Sequence, residues 1–187
     1  MPHFIPMTPR ELVTLGYLTS LDQFDPRQTY LDVILVSGDA YVDHPSFGAA
    51  VIGRALQLAG FSVGIITQPA LDTPEIVMTL GRPRLFFGVT SGNLDSMLHH
   101  FTAAKKRRND DPYTPGGRAG NRPNRAVIAY SSLVRQAYKG VFVVLGGLEA
   151  SMRRAAHYDY WSHKVRRSIL VDAKADANNY HDVGGAI

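Results

Sequence analysis

The feature of the sequence that most constrains its fold is a repeated alternation between short apolar runs and segments with helical periodicity. Each run stops at a glycine or a hydroxyl residue, and most are rich in β-branched side chains, which is typical of buried parallel strands. Between the first two runs, Ser46 can cap a helix that Gly60 ends. The runs that predict strands are residues 31–37, 61–67, 84–89, 126–130 and 141–145.

This alternation predicts the fold class. We expect an α/β domain with an open, doubly wound, mostly parallel sheet of about five strands, helices on both faces and a flavodoxin-like strand order. Further helices are predicted over residues 73–80, 93–104 and 131–139, the last of them capped by Ser131 or Ser132.

Two stretches do not follow the alternation. Residues 105–125 are too polar and too rich in glycine and proline to form a helix or strand, and they are long for a connection within a compact domain. Residues 149–174 place several aromatic side chains among arginines and lysines. The chain has 187 residues, of which 45% are hydrophobic, so we expect one core. The predicted units are an N-terminal extension (1–30), an α/β domain (31–176) with a basic insertion (105–125), and a divergent tail (177–187).

Several classes of protein are excluded or disfavoured by what the sequence lacks. It has no cysteine, so it can form no disulfide, no thiolate metal site and no cysteine-ligated iron–sulfur cluster. The motifs GxxxxGK[ST], GxGxxG, HExxH and GxSxG are missing, which disfavours nucleotide hydrolysis, ordinary dinucleotide chemistry and esterase chemistry. We find neither a bilayer-spanning apolar run nor a signal peptide, and therefore expect a cytosolic protein with no membrane partner.

The positive charge is concentrated in one part of the chain. Residues 1–100 have a net charge of −4, residues 101–148 have +7, and residues 149–187 have +1. Four consecutive cations, Lys105, Lys106, Arg107 and Arg108, form the candidate anion-binding cluster, which Arg118, Arg122 and Arg125 extend. A solvated loop that aids solubility is the alternative. Nucleic-acid binding is disfavoured because no known RNA-binding motif accompanies the charge.

Candidate ligand-facing residues follow three of the predicted strands, because an open parallel sheet binds ligands at the carboxyl ends of its strands. After the first strand, two carboxylates and an imidazole fall within a few positions, suited to metal binding or proton transfer. Capping of the turn or of the next helix is the structural alternative for this group. Its residues are Ser37, Gly38, Asp39, Asp43 and His44.

The other two candidate loops are rich in glycine. After the third predicted strand come Thr90, Ser91, Gly92 and Asn93, where backbone N–H groups could receive a phosphate, although helix capping explains the same residues. After the last predicted strand come Gly146, Gly147 and Glu149. The paired glycines allow a ligand to approach the backbone closely, or simply serve the geometry of a turn.

Three long strings resemble the N-terminal region of YgiQ-type radical SAM proteins. They are DVILVSGDAYVDHPSFGAAVIGRALQLAGFSVGII, GRPRLFFGVTSGNLDSMLHHFTAAKKRRNDDPYTPGGRAGNRPNRA and LGGLEASMRRAAHYDYWSHKVRRSILVDAKAD. The resemblance implies an α/β domain, similar to the cobalamin-binding type, that precedes a radical SAM barrel. In that family the barrel holds a 4Fe–4S cluster on a CxxxCxxC motif and cleaves S-adenosylmethionine.

The sequence departs from the family pattern because it stops before the barrel. Residues 177–187 show neither the strand periodicity nor the linker of the family, so we expect a truncated or split gene product, or a separately encoded subunit. A chain without the barrel is expected to hold no cluster or metal and not to be catalytic alone. A barrel, in cis or in trans, is its expected partner, and the candidate loops are expected to face the barrel or its substrate.

Cobalamin is disfavoured, because the string from Asp43 to Gly48 has the residue types of the family's DxHxxG motif at the wrong spacing. Two alternatives to the accessory role remain open. One is a stand-alone binding module that uses residues 105–125 for RNA or an acidic partner, and the other is a nonfunctional fragment.

Overall fold

The computed structural model describes residues 4–178 and contains a five-stranded parallel sheet. Its strands are β1 (Val33–Ser37), β2 (Val63–Thr67), β3 (Phe86–Thr90), β4 (Val143–Gly146) and β7 (Ala177–Asn178). The strand order is β2-β1-β3-β4-β7, which confirms the predicted doubly wound α/β fold and its flavodoxin-like order. A separate antiparallel hairpin is formed by β5 (His157–Asp159) and β6 (Lys164–Arg166).

The helices connect these strands. They are α1 (Pro9–Thr14), α2 (Gly48–Leu58), α3 (Ser96–His100), α4 (Ala126–Ala137), α5 (Gly147–Met152) and α6 (Ile169–Asp172), with short 3-10 helices at Leu21–Gln23, Pro74–Met78 and Pro115–Gly117. None of the helices in the described part of the chain is long and apolar enough to cross a bilayer.

The two faces of the sheet are covered unequally. The connection from β1 to β2 crosses the sheet in one direction, and the connections from β2 to β3, from β3 to β4 and from β4 to β7 cross it in the other. Because crossovers are right-handed, the first connection lies on one face of the sheet and the other three lie on the opposite face. One face carries the larger core, built around Phe87, Leu145 and Tyr130 with residues from α1, α4 and α6. The other face carries a smaller cluster, built on Val33 and Ile65 with residues of α2 and of the segment before α1. We call them the covered face and the open face.

Two predicted elements near the middle of the chain are wrong. Residues 126–130 were expected as a strand but form the first half of α4, where Val127 and Tyr130 are buried in the core of the covered face. Ser131 therefore lies inside the helix, where its hydroxyl donates to the carbonyl of Val127 at 2.7 Å, and does not cap it. The helix expected over residues 93–104 is limited to α3, because Phe101 leaves it in an extended conformation and pairs with Arg107.

The prediction that residues 177–187 contain no strand is wrong for the first two of them. Ala177 and Asn178 form β7, which pairs with Val144 and Leu145 of β4. Asp176, directly before β7, holds the chain beside β4, because its carboxylate accepts from the backbone N–H of Val143 at 2.8 Å. Residues 179–187 lie outside the described part of the chain.

Residues before and between the expected elements also contribute to packing. Leu12 and Leu18 are buried in the core of the covered face, although they belong to the stretch expected as an extension. The insertion at 105–125 likewise contributes Asp111 and Arg122, both of which are fully buried.

Candidate functional site

The carboxyl edge of the sheet brings together loops that are far apart in sequence. The loops after β1 and β3 leave adjacent strands and lead to opposite faces, so a topological switch point lies between them. The register aligns the ends of the strands: Ser37 pairs with Thr90, and Thr90 pairs with Gly146. Candidate residues from three loops therefore meet at one place.

A cavity of about 280 Å³ opens beside this switch point, on the open face. Its floor consists of Leu35, Gly88 and Val144, which lie side by side on β1, β3 and β4. One wall is α2, through Ala49 and Ile52. The size is just below the ~300 Å³ at which sites for drug-sized ligands begin. The remaining wall residues are Ala40, Tyr41, Val42, Phe47, Gly48, Leu56, Ile65, Phe86, Val89, Leu145 and Leu148.

The predicted site residues divide into three groups by their position relative to the cavity. Seven of them line it, together with Thr67: Ser37, Asp39, Thr90, Gly92, Asn93, Gly146 and Gly147. Gly38, Ser91 and Glu149 lie behind the lining. Asp43 and His44 lie outside it on an exposed loop, where Asp43 pairs with Arg54 and the Nδ1 atom of His44 accepts from the backbone of Ser46 at 3.1 Å.

A buried ion network fixes the loops after β1 and β3. Asp39 accepts from the backbone N–H of Asn93 at 2.6 Å and lies 2.7 Å from a guanidinium nitrogen of Arg122. Arg122 also donates to both carboxylate oxygens of Asp111, at 3.2–3.3 Å, and to the carbonyl of Ser91. All three charged side chains are almost completely buried, so the charge of Arg122 is compensated by the two carboxylates, and theirs by Arg122.

The network also controls protonation around it. Burial raises the pKa of Asp39, although the positive charge of Arg122 opposes this shift. His99 lies 3.9 Å from Asp111, and its pKa is lowered to about 4 because burial and the charge of Arg122 disfavour the imidazolium. At neutral pH, His99 is therefore an uncharged member of the network.

Glu149 organises the helices behind the cavity. One of its carboxylate oxygens accepts from the backbone N–H of Ser96 at 2.9 Å, and the other accepts from that of Val127 at 3.3 Å. It thereby satisfies donors at the first residues of α3 and α4. Nearby, Asp95 caps α3 and pairs with Arg153.

Two glycines allow the close packing at the mouth of the cavity. Gly92 has a φ of +102° and a Cβ there would overlap the carboxylate of Asp39, whereas Gly147 has a φ of +80° and a Cβ there would collide with the hydroxyl of Thr90. Both positions therefore require glycine for backbone conformation and for space.

The four consecutive cations lie away from the cavity. The Lys105 ammonium is 2.7 Å from Nε2 of His163 and 4.6 Å from the ring centroid of Tyr160, while Lys106, Arg107 and Arg108 are exposed. Arg122, expected to extend this cluster, does not, because it is buried in the ion network. Arg125 also turns away from it and pairs with Asp159 at 2.6 Å.

The donor set of this chain does not fit the iron–sulfur cluster that the resemblance implies for the family. The cluster needs cysteine thiolates, and the sequence has none. Within residues 4–178, no group of three or more histidine, aspartate or glutamate side chains is arranged to hold a metal ion.

Sequence reasoning missed the residues that hold the site together, namely Asp95, His99, Asp111 and the buried role of Arg122. The length of the 105–125 segment was the only signal, because a long polar connection in a compact domain is expected to have a function. Its charge pattern gave no indication that Arg122 is buried while Lys106 is exposed.

Comparison with known proteins places these features in a family. The family model described as radical SAM N-terminal matches residues 4–184. A UPF0313 protein of Vibrio cholerae is 57% identical over 173 residues, which are 92% of this chain and 20% of that protein. A UPF0313 protein of Thermotoga neapolitana is 58% identical over 173 residues, which are 29% of its length. No solved structure matches.

The match extends over nearly the whole described chain, including the loops of the cavity and the basic segment. The chain spans only about a fifth to under a third of the length of these curated relatives. With a family model that covers almost all of its residues, the chain belongs to the radical SAM N-terminal family.

Proposed function

We propose that this chain is an accessory domain that holds part of a substrate at the carboxyl edge of its sheet and presents it to a radical SAM catalytic domain. The observation that carries the proposal is the cavity at the switch point, to which the loops after β1, β3 and β4 contribute although they are far apart in the sequence. Because the chain corresponds to a fraction of each curated relative, the catalytic part is expected in the remainder of such a protein.

The division of work follows from the residues. In the family, the cluster supplies reductive cleavage of S-adenosylmethionine, and no residue of this chain can hold it. The chain's own contribution is binding and orientation. Its apolar walls exclude water from a bound group, and the network around Arg122 keeps the loops of the cavity in one arrangement.

The surface around the cavity mouth supports a partner at this edge. Val42 and Leu148, from the loops after β1 and β4, line the cavity and are large apolar side chains that are exposed. An apolar rim around a binding cavity is typical of a surface that another domain covers. We assign the catalytic domain to this edge.

A chimera tests the assignment. This chain replaces the matching segment of the Thermotoga neapolitana relative, and a photo-crosslinking benzoylphenylalanine replaces Leu148 or, as the control, the equally apolar Leu58, which is 89% exposed on α2. We expect Leu148 to cross-link to the catalytic part, as mapped by mass spectrometry, and Leu58 not to do so. Equal cross-linking at both positions, or at Leu58 alone, contradicts the proposal.

Reconstitution provides a second test. We expect the chain alone, treated with iron and sulfide, to show no cluster absorption and no cleavage of S-adenosylmethionine, and the chimera to show both. Cleavage by the chain alone would exclude a purely accessory role.

One observation favours a second candidate function, the binding of single-stranded RNA. His163 lies between Lys105 and Tyr158, with its ring nitrogens 2.7 Å from the ammonium and 2.9 Å from the hydroxyl, and Tyr160 packs beneath the same ammonium. Tyr158 and Tyr160 are exposed beside exposed cations. Rings that can stack on bases next to charges that can bind phosphates are the features of such surfaces.

Filter binding against salt concentration tests this candidate. Replacing Lys105, Lys106, Arg107 and Arg108 by alanine should abolish affinity and its steep salt dependence. The matched control replaces four exposed cations elsewhere, namely Arg10, Arg27, Arg82 and Lys139. If both variants lose affinity for RNA equally, the RNA is attracted by the overall positive charge, and this surface is not a specific RNA-binding site.

A further inference from the structure

We infer that the cavity at the switch point receives an uncharged, predominantly hydrocarbon or aromatic group, and not a phosphate or a carboxylate. The inference deepens the proposed function, on which it rests for the role of the bound group as part of a substrate. It assigns the chemical class of that group from the lining of the cavity.

Most of the wall surface of the cavity is apolar, and its polar residues, Ser37, Asp39, Thr67, Thr90 and Asn93, come from the strand ends and the loops after them. The floor of the sheet contributes Leu35, Gly88 and Val144, α2 contributes Ala49, Ile52 and Leu56, and the loops contribute Phe47 and Leu148. Gly88 keeps the floor flat, because a Cβ there would stand 2.7 Å from Cδ2 of Leu35. A group that fills this space gains the burial of its apolar surface and meets no polar floor.

The lining contains no positive charge that could compensate an anion. Among the described residues that line the cavity, none is lysine, arginine or histidine. Arg122, which contacts the lining residue Asp39, is already shared between Asp39 and Asp111. The one lining carboxylate is that of Asp39, so an anion entering the cavity would lose its hydration beside a negative group.

Three backbone donors around the cavity already have acceptors within the protein. The N–H of Asn93 donates to Asp39 at 2.6 Å, and the N–H of Gly92 donates to the hydroxyl of Thr90 at 3.1 Å. The N–H of Gly48, at the start of α2, donates to the side chain of Asn93 at 3.3 Å. These donors are satisfied within the protein, so the two N–H groups of Gly92 and Asn93 are not free to bind the phosphate considered for residues 90–93.

The location favours a small molecule over a further polypeptide segment. The space lies between the loops after β1 and β3, at the switch point where open α/β sheets bind ligands, and not over the edge strand β7. A polypeptide occupant would instead leave the isolated chain with a shallow groove that binds apolar probes without saturation.

Two dyes that differ in charge test the inference on the chain as it stands. N-phenyl-1-naphthylamine is uncharged, and 8-anilinonaphthalene-1-sulfonate has the same ring system with a sulfonate. We expect the uncharged dye to bind at one saturable site with a fluorescence increase, and the sulfonate to bind at least tenfold more weakly. Equal or tighter binding of the sulfonate, unsaturable binding, or no binding of the uncharged dye overturns the inference.

Matched substitutions locate the binding. Ala49→Phe fills the cavity from α2, whereas Ala55→Phe makes the same change at an exposed position of the same helix outside the cavity. We expect the first to weaken binding of the uncharged dye at least tenfold and the second to leave it unchanged. Val144→Phe, with Val51→Phe as its exposed control, repeats the test from the floor if Ala49→Phe fails to fold. Unchanged binding in the cavity variant that folds overturns the inference.

The outcomes separate this inference from the proposed function. The dye measurement uses only the isolated chain, whereas the cross-linking experiment uses the chimera and no ligand. A cavity that prefers the sulfonate, combined with cross-linking at Leu148, would reject the ligand class and keep the accessory role. A cavity that prefers the uncharged dye, combined with no cross-linking at Leu148, would reject only the position of the catalytic domain and keep the ligand class.

Discussion

The two faces of the sheet differ in what their residues do. On the covered face, Phe87 and Tyr138 stack with centroids 5.8 Å apart inside a continuous core. On the open face, the neighbouring Phe86 is half-buried and lines the cavity. One face therefore supplies most of the stability of the fold, and the other has kept space for a ligand. Within β3, Phe87 therefore contributes to stability and its neighbour Phe86 contributes to the binding cavity.

Replacing the two adjacent phenylalanines by alanine gives the largest contrast. We expect Phe87→Ala to lower the free energy of unfolding by about 3–5 kcal/mol, because it leaves a cavity in a closed core. Phe86→Ala should cost about 1 kcal/mol, since the side chain already borders open space. Urea denaturation measures both. Similar losses at the two positions would contradict the distinction between the faces.

The next largest loss of stability is expected for a substitution in the buried ion network of Asp39, Asp111 and Arg122. We expect Arg122→Met to cost about 3 kcal/mol, because it leaves the carboxylates of Asp39 and Asp111 buried and unpaired. Arg27→Met, at an exposed position, is the control and should change stability by less than ~0.5 kcal/mol. A cost below ~1 kcal/mol for Arg122→Met would show that the network contributes little to stability.

The same network predicts a pH dependence. The pKa of His99 is about 4 in the folded state, against 6.5 for the unfolded chain, so its contribution to stability is complete above pH 6.5 and is lost as the pH falls toward 4. Lowering the pH from 7.5 to 5 should cost about 2 kcal/mol through His99.

Comparison of variants isolates this contribution from that of Asp39, whose raised pKa acts in the opposite direction. His99→Gln should lose less stability over the same pH range, whereas His44→Gln, at an exposed position, should behave like the native chain. Equal pH dependence in all three proteins would reject the assignment.

The smallest loss of stability is expected for a substitution at the start of α1, where the chain passes from the open face to the covered face. Ile5 packs on the open face and Leu12 on the covered face, and the capping box of Thr8 and Glu11 begins α1 between them. Thr8→Ala should lower the temperature of unfolding by an amount equivalent to about 1 kcal/mol. Thr14→Ala, at the other end of α1, should have a smaller effect, and the reverse order would exclude the cap as the cause.

The sequence predicts β1 and β2 well, because the apolar runs that contain them are buried on both faces of the sheet and have no other stable environment. It fails at 126–130, since a five-residue apolar run fits a buried helix as well as a strand. Part of what favours the helix is Glu149, which supplies an acceptor for the first turn of α4 from 22 positions away. Local periodicity contains no information about such a partner.

The candidate site is predicted only in part, for a related reason. Strand ends identify the loops, so Asp39, Thr90 and Gly146 are found. Neither the apolar nature of the cavity nor the burial of Arg122 follows from loop composition. Both depend on which helix covers which half of the sheet, and that is a property of the strand order as a whole.

The edge strand β7 has a consequence for how the protein is made. Among residues 4–178 it is the last strand of the sheet to leave the ribosome, and there it pairs with β4 through Ala177 and Asn178. Until they are synthesised, the outer side of β4 presents unpaired backbone groups next to the exposed Phe142. The nascent chain therefore passes through a stage at which its nearly finished sheet can pair with another copy, and the speed at which the final strand arrives sets how long that hazard lasts.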